Sequence, residues 1–237
     1  QQNEGVTDSS PDPEMINLFN TMVDEMFDYG KHILLKKRKN PENDLLSAIA
    51  NAKIEGKELT QEFLDGSWLL IVFAGNDTTR NTMSGGIKLL HDNQDQKELL
   101  INNLDYLPNF INETVRCVSP VIHMRRTSLE ETEINGQRIG PFEKIALWYG
   151  AANRDPEIFQ DPDTFNILRE NADKHLAFGI GRHTCLGKPV ALMQLREFYS
   201  QFLVRFPDFE MNGEWKVAPN NFVHAIQEMP IKFSPKS

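Results

Sequence analysis

The sequence predicts a mainly α-helical protein with small β-sheets. Three observations predict it. Between Gln61 and His91 there is no proline, so a single helix of ~30 residues and ~45 Å fits that stretch. Between Glu14 and Lys39 the apolar residues Met15, Leu18, Met22, Met26, Ile33 and Leu34 recur largely at helical spacings. The β signals are short: Asn135-Gly136 sits between alternating runs over residues 132–139, and residues 144–149 read as one more brief strand.

The remaining elements follow in order. Residues 1–13 are polar and proline-bearing and read as a loop or frayed end. The helix over 14–39 closes on Lys36-Lys37-Arg38-Lys39, where cations complement the helix dipole. A patch for a partner or a membrane surface would look similar, but a solvated helix end is the simpler reading. Asn40-Pro41 breaks that helix, and a short helix follows over 44–53. Thr60 is placed to cap the long helix. Residues 68–74 are apolar on every face and are expected to be buried. The chain then changes abruptly to Gly75-Asn76-Asp77-Thr78-Thr79-Arg80. Polar groups in a buried helix are costly unless they bond to something, so this interruption is the first mark of a site. Helices are expected over 94–103 and 106–118, a non-periodic meander over 153–175, a glycine-rich loop over 178–187 and a helix over 188–205. Phe209, Met211, Trp215, Val217, Phe222, Val223, Ile231 and Phe233 suggest short strands in the tail. No internal repeat is visible.

Composition removes several function classes. The chain has 237 residues, 40% hydrophobic and 25% charged, with a formal net charge of -9, values ordinary for a soluble globular protein. That balance argues against general affinity for nucleic acid, which needs a basic face. Only Cys117 and Cys185 are present, too few for a secreted disulfide scaffold or a structural zinc site, and a reducing, cytoplasmic setting is the simpler reading. No apolar run approaches the ~20 residues of a bilayer span, and no signal peptide opens the chain. The first residue is Gln1, so the chain reads as a fragment or processed form. HExxH and GxSxG are absent, which removes the basic parts of zinc peptidases and serine hydrolases.

The chemistry concentrates in Phe178-Gly179-Ile180-Gly181-Arg182-His183-Thr184-Cys185-Leu186-Gly187. Glycines let a backbone approach a flat partner closely. A cysteine just ahead of a helix N-terminus sits in positive potential, which favours the thiolate, and a thiolate can ligate iron. Taken alone, such a cysteine is more often structural, buried beside a turn. The loop is not a dinucleotide fingerprint, because Thr184 stands at the third glycine position.

This decapeptide resembles the cysteine-ligand loop of the cytochrome P-450 superfamily, FxxGxxxCxG, with Phe178, Gly181, Cys185 and Gly187 at its fixed positions. Ala74-Gly75-Asn76-Asp77-Thr78 resembles the oxygen-activation motif of the long central helix. Glu113-Thr114-Val115-Arg116 matches the ExxR motif, whose i,i+3 spacing puts both side chains on one helix face; alone, that motif usually means a surface ion pair. The resemblance implies the C-terminal half of the cytochrome P-450 fold over residues 1–237: central helix, ExxR helix, meander, cysteine loop and following helix. Family members are considerably longer, and the earlier helices that cover the central helix would be absent. The resemblance further implies haem b, with Cys185 as axial ligand of the iron and Arg126 and His183 on its propionates. Phe178, Gly179, Gly181, Gly187, Ala74 and Gly75 would lie against it, Asp77 and Thr78 would relay protons, and Arg169 would join Glu113 and Arg116.

Shorter words resemble the bacterial soluble alkane and fatty-acid ω-hydroxylase family: Asn76 through Gly86, His123-Met124-Arg125-Arg126-Thr127, Trp148-Tyr149, Asn153-Arg154-Asp155 and Asn221-Phe222-Val223. That family implies insertion of one atom of O2 at the terminal carbon of a medium-chain substrate. Its electrons come from NAD(P)H through a ferredoxin reductase and a ferredoxin. Steroid and terpene hydroxylases share several of these words and are the alternative substrate class. A truncated, non-catalytic haem-binding fragment is the alternative for the chain itself. Leu70, Phe73, Val121, Ile122, Met124, Phe222 and Val223 are candidate walls for an apolar substrate, and each fits plain core equally well. Cys117 reads as an inert core cysteine. His175 reads as either an orienting group for the cysteine loop or a solvated turn residue.

Overall fold

The computed structural model describes residues 12–234. The expected frayed end over 1–13 falls outside them except for Asp12 and Pro13, which open the first helix. The chain divides into two compact units, Gln1–Ala74 and Gly75–Ser237.

In the first unit, α1 (Pro13–Lys39) begins at an Asp12 cap whose carboxylate accepts from Glu14 N at 3.0 Å. It stops at Asn40, as the following proline requires. The terminal cations are only partly free: Lys37 pairs with Glu42 at 2.8 Å and with Asp44, and Arg38 Nε donates to the Ala50 carbonyl. Next come α2 (Leu45–Ala50) and a hairpin of β1 (Lys53–Ile54) and β2 (Lys57–Glu58). Glu55 and Gly56 make that turn with φ of 53° and 80°. The long helix α3 (Gln61–Asp92) starts where Thr60 Oγ1 accepts from Phe63 N at 3.3 Å. Leu34, Ala50, Leu64 and Trp68 form the unit's core. A Cβ on Gly30 would stand 2.5 Å from Trp68, so glycine is what lets α1 and α3 approach there.

The expected burial of residues 68–74 holds only in part. Trp68 is buried, but Leu70 is 66% and Phe73 54% exposed. Leu64 and Trp68, one turn apart, join Leu34 and Ala50 in that core, while Leu69, Leu70, Val72 and Phe73 are exposed.

The second unit takes the rest of α3, then α4 (Gln94–Asn102), α5 (Leu107–Val118), β3 (His123–Thr127), β4 (Thr132–Ile134), β5 (Gln137–Ile139), β6 (Lys144–Trp148) and α6 (Tyr149–Ala152). After the meander come α7 (Lys188–Arg205), β7 (Glu210–Met211), β8 (Lys216–Ala218), β9 (Ala225–Glu228) and β10 (Ile231–Lys232). All sheets are antiparallel pairs: β3 with β6, β4 with β5, β8 with β9 and β7 with β10. Asn135 and Gly136 turn the β4–β5 hairpin with φ of 51° and 78°, as the dipeptide predicts.

The core of this unit packs α3, α5 and α7 with the meander: Ile87, Leu90, Phe110, Val115, Phe165, Ile167, Leu195, Tyr199 and Phe209. Tyr199 is its centre. Its ring meets Phe110 edge-on at 4.7 Å, and its hydroxyl, 3.0 Å from each, donates toward the Thr82 and Met83 carbonyls of α3. A Cβ on Gly86 would lie 2.0 Å from that hydroxyl.

Candidate functional site

The glycine-rich loop is built to present one sulfur. Cys185 N donates to the Phe178 carbonyl at 2.8 Å, closing the loop, and Thr184 N and Oγ1 both reach the Gly181 carbonyl, at 3.1 and 2.9 Å. Gly179 and Gly181 take φ of 70° and 68°, the left-handed region that glycine adopts without strain. A Cβ on Gly179 would stand 3.1 Å from the His183 carbonyl, whereas one on Gly181 would meet nothing within 4 Å. Gly187 precedes α7 without a side-chain cap, and Cys185 lies exposed three residues ahead of the helix. Phe178 anchors the loop, with Lys188 Nζ 5.4 Å from its ring and His175 at 5.6 Å. His175 is buried, and burial, aided by the Lys188 charge, holds its pKa down at about 4. Its neutral Nδ1 accepts from Ala177 N at 3.3 Å, so it orients the loop's approach rather than facing solvent.

Between α5 and the meander lies a buried ionic lock. Glu113 and Arg116 are 0% exposed and Arg169 is 8% exposed. Arg116 donates Nε and Nη2 to the two Glu113 oxygens at 2.7 and 2.8 Å. Its other donors reach the carbonyls of Asn153, Pro162 and Thr164. Arg169 Nε reaches the same carboxylate at 3.1 and 3.2 Å, while its Nη1 donates to the Gln160 carbonyl and its Nη2 to the Asp161 and Thr164 carbonyls. The i,i+3 pair on α5 therefore grips the meander, and Arg169 is the third partner. Cys117 sits against this lock, its thiol pushed up to about 12 by burial and the Glu113 charge; it is inert.

On α3, Asp77 pairs with Arg80 at 2.9 Å. The Asp77 and Thr78 carbonyls take side-chain donors from Asn81 and Thr82, each at 2.8 Å. Ala74 and Gly75 are exposed, and a Cβ on Gly75 would meet nothing within 4 Å. Arg126 lies on β3 two residues after Met124, which puts both on one strand face. Arg126 Nη1 donates only to the Arg125 carbonyl, and among the described residues neither Arg126 nor the exposed His183 is ion-paired.

The structure brings four candidate wall residues together. Val121 bridges Val223, and Ile122 N donates to the Phe222 carbonyl at 2.8 Å. Val223 is buried, Val121, Ile122 and Phe222 are half-buried, and Met124, Leu70 and Phe73 are exposed. A polar cleft of about 560 Å³ lies elsewhere, over the meander at Asp161, Leu168 and Glu170.

Sequence reasoning missed Asn153 as a junction. Its amide donates to Ser119 Oγ at 2.8 Å and accepts from Leu176 N at 2.6 Å, while its carbonyl holds Arg116. One fully buried side chain thus ties the lock to the segment entering the cysteine loop. Its place in the Asn153-Arg154-Asp155 word was the available signal. Asn81 and Tyr199 were missed too; Asn81 lies in the Asn76–Gly86 word, and nothing local marks Tyr199.

An exposed cysteine in a tight glycine loop before a long helix, and a buried carboxylate shared between two guanidiniums, are the arrangements that the cytochrome P-450 resemblance implies. The cytochrome P450 family model matches residues 12–233, and the chain belongs to that family. It is 37% identical over 212 residues to a steroid C26-monooxygenase of Mycolicibacterium smegmatis, covering 89% of this chain and 53% of the relative. It is 32% identical over 228 residues to a methyl-branched lipid omega-hydroxylase of Mycobacterium bovis, covering 94% and 53%. The solved structure of cytochrome P450-153 from Novosphingobium aromaticivorans superposes with a TM-score of 0.83 at 34% identity, covering 93% of this chain and 55% of that one. The chain thus spans about half the length of the curated relatives it matches. Among the described residues no helix is long and apolar enough to cross a membrane.

Proposed function

We propose that the protein is a haem-thiolate monooxygenase that inserts one oxygen atom of O2 into a C–H bond of an apolar substrate. The observation that carries this reading is the exposed Cys185, held in a positive-φ glycine loop ahead of α7, with the Glu113–Arg116–Arg169 lock tied through Asn153 to the segment entering that loop. The residues present fit a haem. In the cysteine loop, Gly181 faces open space, Ile180 and Leu186 are 75% and 77% exposed, and Arg126 and His183 have no acidic partner among the described residues. Cys185 would hold the iron and Arg126 and His183 the propionates, by charge-assisted hydrogen bonds in the case of Arg126. Phe178, Gly179, Gly181, Gly187, Ala74 and Gly75 would line the ring. When bound, the haem would supply O–O cleavage at an iron made electron-rich by thiolate. Asp77 and Thr78 would pass protons from water to the reacting oxygen, a general-acid role. Glu113, Arg116 and Arg169 hold the meander and touch no reacting atom.

For substrate we favour terminal hydroxylation of medium-chain alkanes or fatty acids, with Leu70, Phe73, Val121, Ile122, Met124, Phe222 and Val223 as apolar walls. The likeness to a lipid omega-hydroxylase supports it. Electrons would come from NAD(P)H through a ferredoxin reductase and a ferredoxin. A steroid hydroxylase is the second reading, favoured by the steroid C26-monooxygenase at 37% identity. Binding spectra with a linear alkane against a sterol separate the two. For this chain on its own, the exposed Leu70 and Phe73 favour a haem-binding fragment without turnover, because an uncovered apolar face admits water.

The test is a reduced, carbon-monoxide-bound difference spectrum after haem reconstitution. A strongly red-shifted Soret band that disappears in Cys185→Ala is the expected result. A band that persists in Cys185→Ala would remove Cys185 as ligand and overturn the reading.

A further inference from the structure

Asn81 is 1% exposed, in the middle of a helix where its short polar side chain has no propensity to recommend it. Both ends of its amide are committed. Nδ2 donates to the Asp77 carbonyl at 2.8 Å, one turn back on α3, and Oδ1 accepts from Ile226 N at 2.8 Å, on β9. The orientation of the amide is forced, because a carbonyl can only accept and a backbone N–H can only donate. The Ile226 end continues through backbone. His224 N donates to the Pro120 carbonyl at 2.9 Å, Val223 bridges Val121, and Ile122 N donates to the Phe222 carbonyl at 2.8 Å. That ladder leads into β3, which carries Met124 and Arg126.

We infer that Asn81 is a positioning residue that sets the register between the Asp77–Thr78 turn of α3 and the segment over 222–226. In functional terms this rests on the reading of Asp77 and Thr78 as proton donors and of Phe222 and Val223 as substrate wall. A shift of the wall residues pulls on Ile226, and the Asn81 amide passes the pull to the Asp77 carbonyl. The turn that would deliver protons thereby senses whether the wall is occupied. Thr82, which back-bonds to the Thr78 carbonyl at 2.8 Å, holds the neighbouring residue of the same turn, but its own link to the rest of the fold runs through Tyr199 and α7 instead.

The test uses the 237-residue chain, isotope-labelled for NMR, and needs no haem. Asn81→Ala removes both bonds and should speed exchange of the Ile226 amide by about tenfold or more, the loss of one buried hydrogen bond. Asn81→Asp keeps an acceptor for Ile226 N but turns a second oxygen toward the Asp77 carbonyl. Ile226 should stay protected while the Asp77 carbonyl and Thr78 amide resonances move. Val223→Ala should displace the Thr78 amide resonance in the wild-type background and leave it in place in Asn81→Asp. Unchanged Ile226 exchange in Asn81→Ala overturns the inference. So does a Val223→Ala effect at Thr78 that is absent in the wild type or equal in both backgrounds. If Asn81→Ala does not fold, the near-isosteric Asn81→Asp and the single Val223→Ala decide alone. Loss of the thiolate spectrum would sink the monooxygenase reading without touching these resonances, so the two failures are distinguishable.

Discussion

Replacing Glu113 with Gln exchanges one oxygen for an amide nitrogen and should cost far more than that change of size. The carboxylate accepts from Arg116 Nε and Nη2, from Arg169 Nε and from Asn166 N, at distances of 2.7 to 3.2 Å. All five N–H groups of Arg116 are in use. Neutralising Glu113 leaves two guanidiniums, 0% and 8% exposed, with no counter-charge between them and an amide N–H pointed at a donor. Breaking a buried pair by removing one partner costs about 3–5 kcal/mol, because the surviving charge stays buried. Against a typical total of ~5–15 kcal/mol, that is a drop of roughly two to four powers of ten in the folding constant. Urea titration measures it. The fluorescence of Trp148 and Trp215, both in the second unit, reports on the lock when Trp68 of the first unit is changed to Phe. The control is Arg80→Gln: the Asp77–Arg80 pair is 34% and 60% exposed at its side chains, and such pairs contribute about 0.5 kcal/mol or less. If Glu113→Gln costs under ~1 kcal/mol, or no more than this control, the lock does not hold the meander.

Three further outcomes follow from single contacts. Gly86→Ala places a methyl 2.0 Å from the Tyr199 hydroxyl and should destabilise the second unit by about 3 kcal/mol, near the top of the range for overpacking. Tyr199→Phe, which only loses the bonds to Thr82 and Met83, should cost ~1 kcal/mol by the same titration. His175 titrates at about 4 when folded against ~6.5 unfolded. The unfolded chain therefore binds more protons between those values, and stability must fall as pH drops from ~6.5 to ~4, by up to about 3 kcal/mol. His175→Gln should flatten that slope, as urea midpoints across the window will register. Finally, iodoacetamide at pH 8 should add one group per chain, because Cys185 is exposed while the Cys117 thiol is held up at about 12. Mass spectrometry of Cys185→Ser should find none.

What the sequence made legible was the chemistry that is local. α7 begins and ends where its pattern says, α3 starts at its Thr60 cap, and the Asn135-Gly136 turn takes the φ angles that dipeptide favours. Glu113 and Arg116 could be read because three residues on a helix fix their relation before any tertiary structure exists. The illegible parts are those whose meaning lies far away along the chain. β1 and β2, two residues each, are too short to show a period. β3 passes for a loop until Arg126 is known to face Ile145 across the strand pair. The apolar run over 68–74 predicts burial, but burial belongs to what packs against a surface, and of that run Trp68 is the residue that joins the first unit's buried cluster.

The same reasoning explains why the positioning residues escape a motif search when the reactive ones do not. A thiol in a glycine loop or an acid beside a threonine is recognisable by its own chemistry. A buried asparagine has no reactivity to advertise. Asn153 gains its role from Ser119 and Leu176, 34 and 23 residues away, and Asn81 from Ile226, 145 residues away. Taken by itself in the sequence, each is only a poor helix former. In the fold each is the one side chain at its position that can donate in one direction and accept in the other. A residue with both capacities can join two backbone segments that neither a leucine nor an aspartate would hold in register.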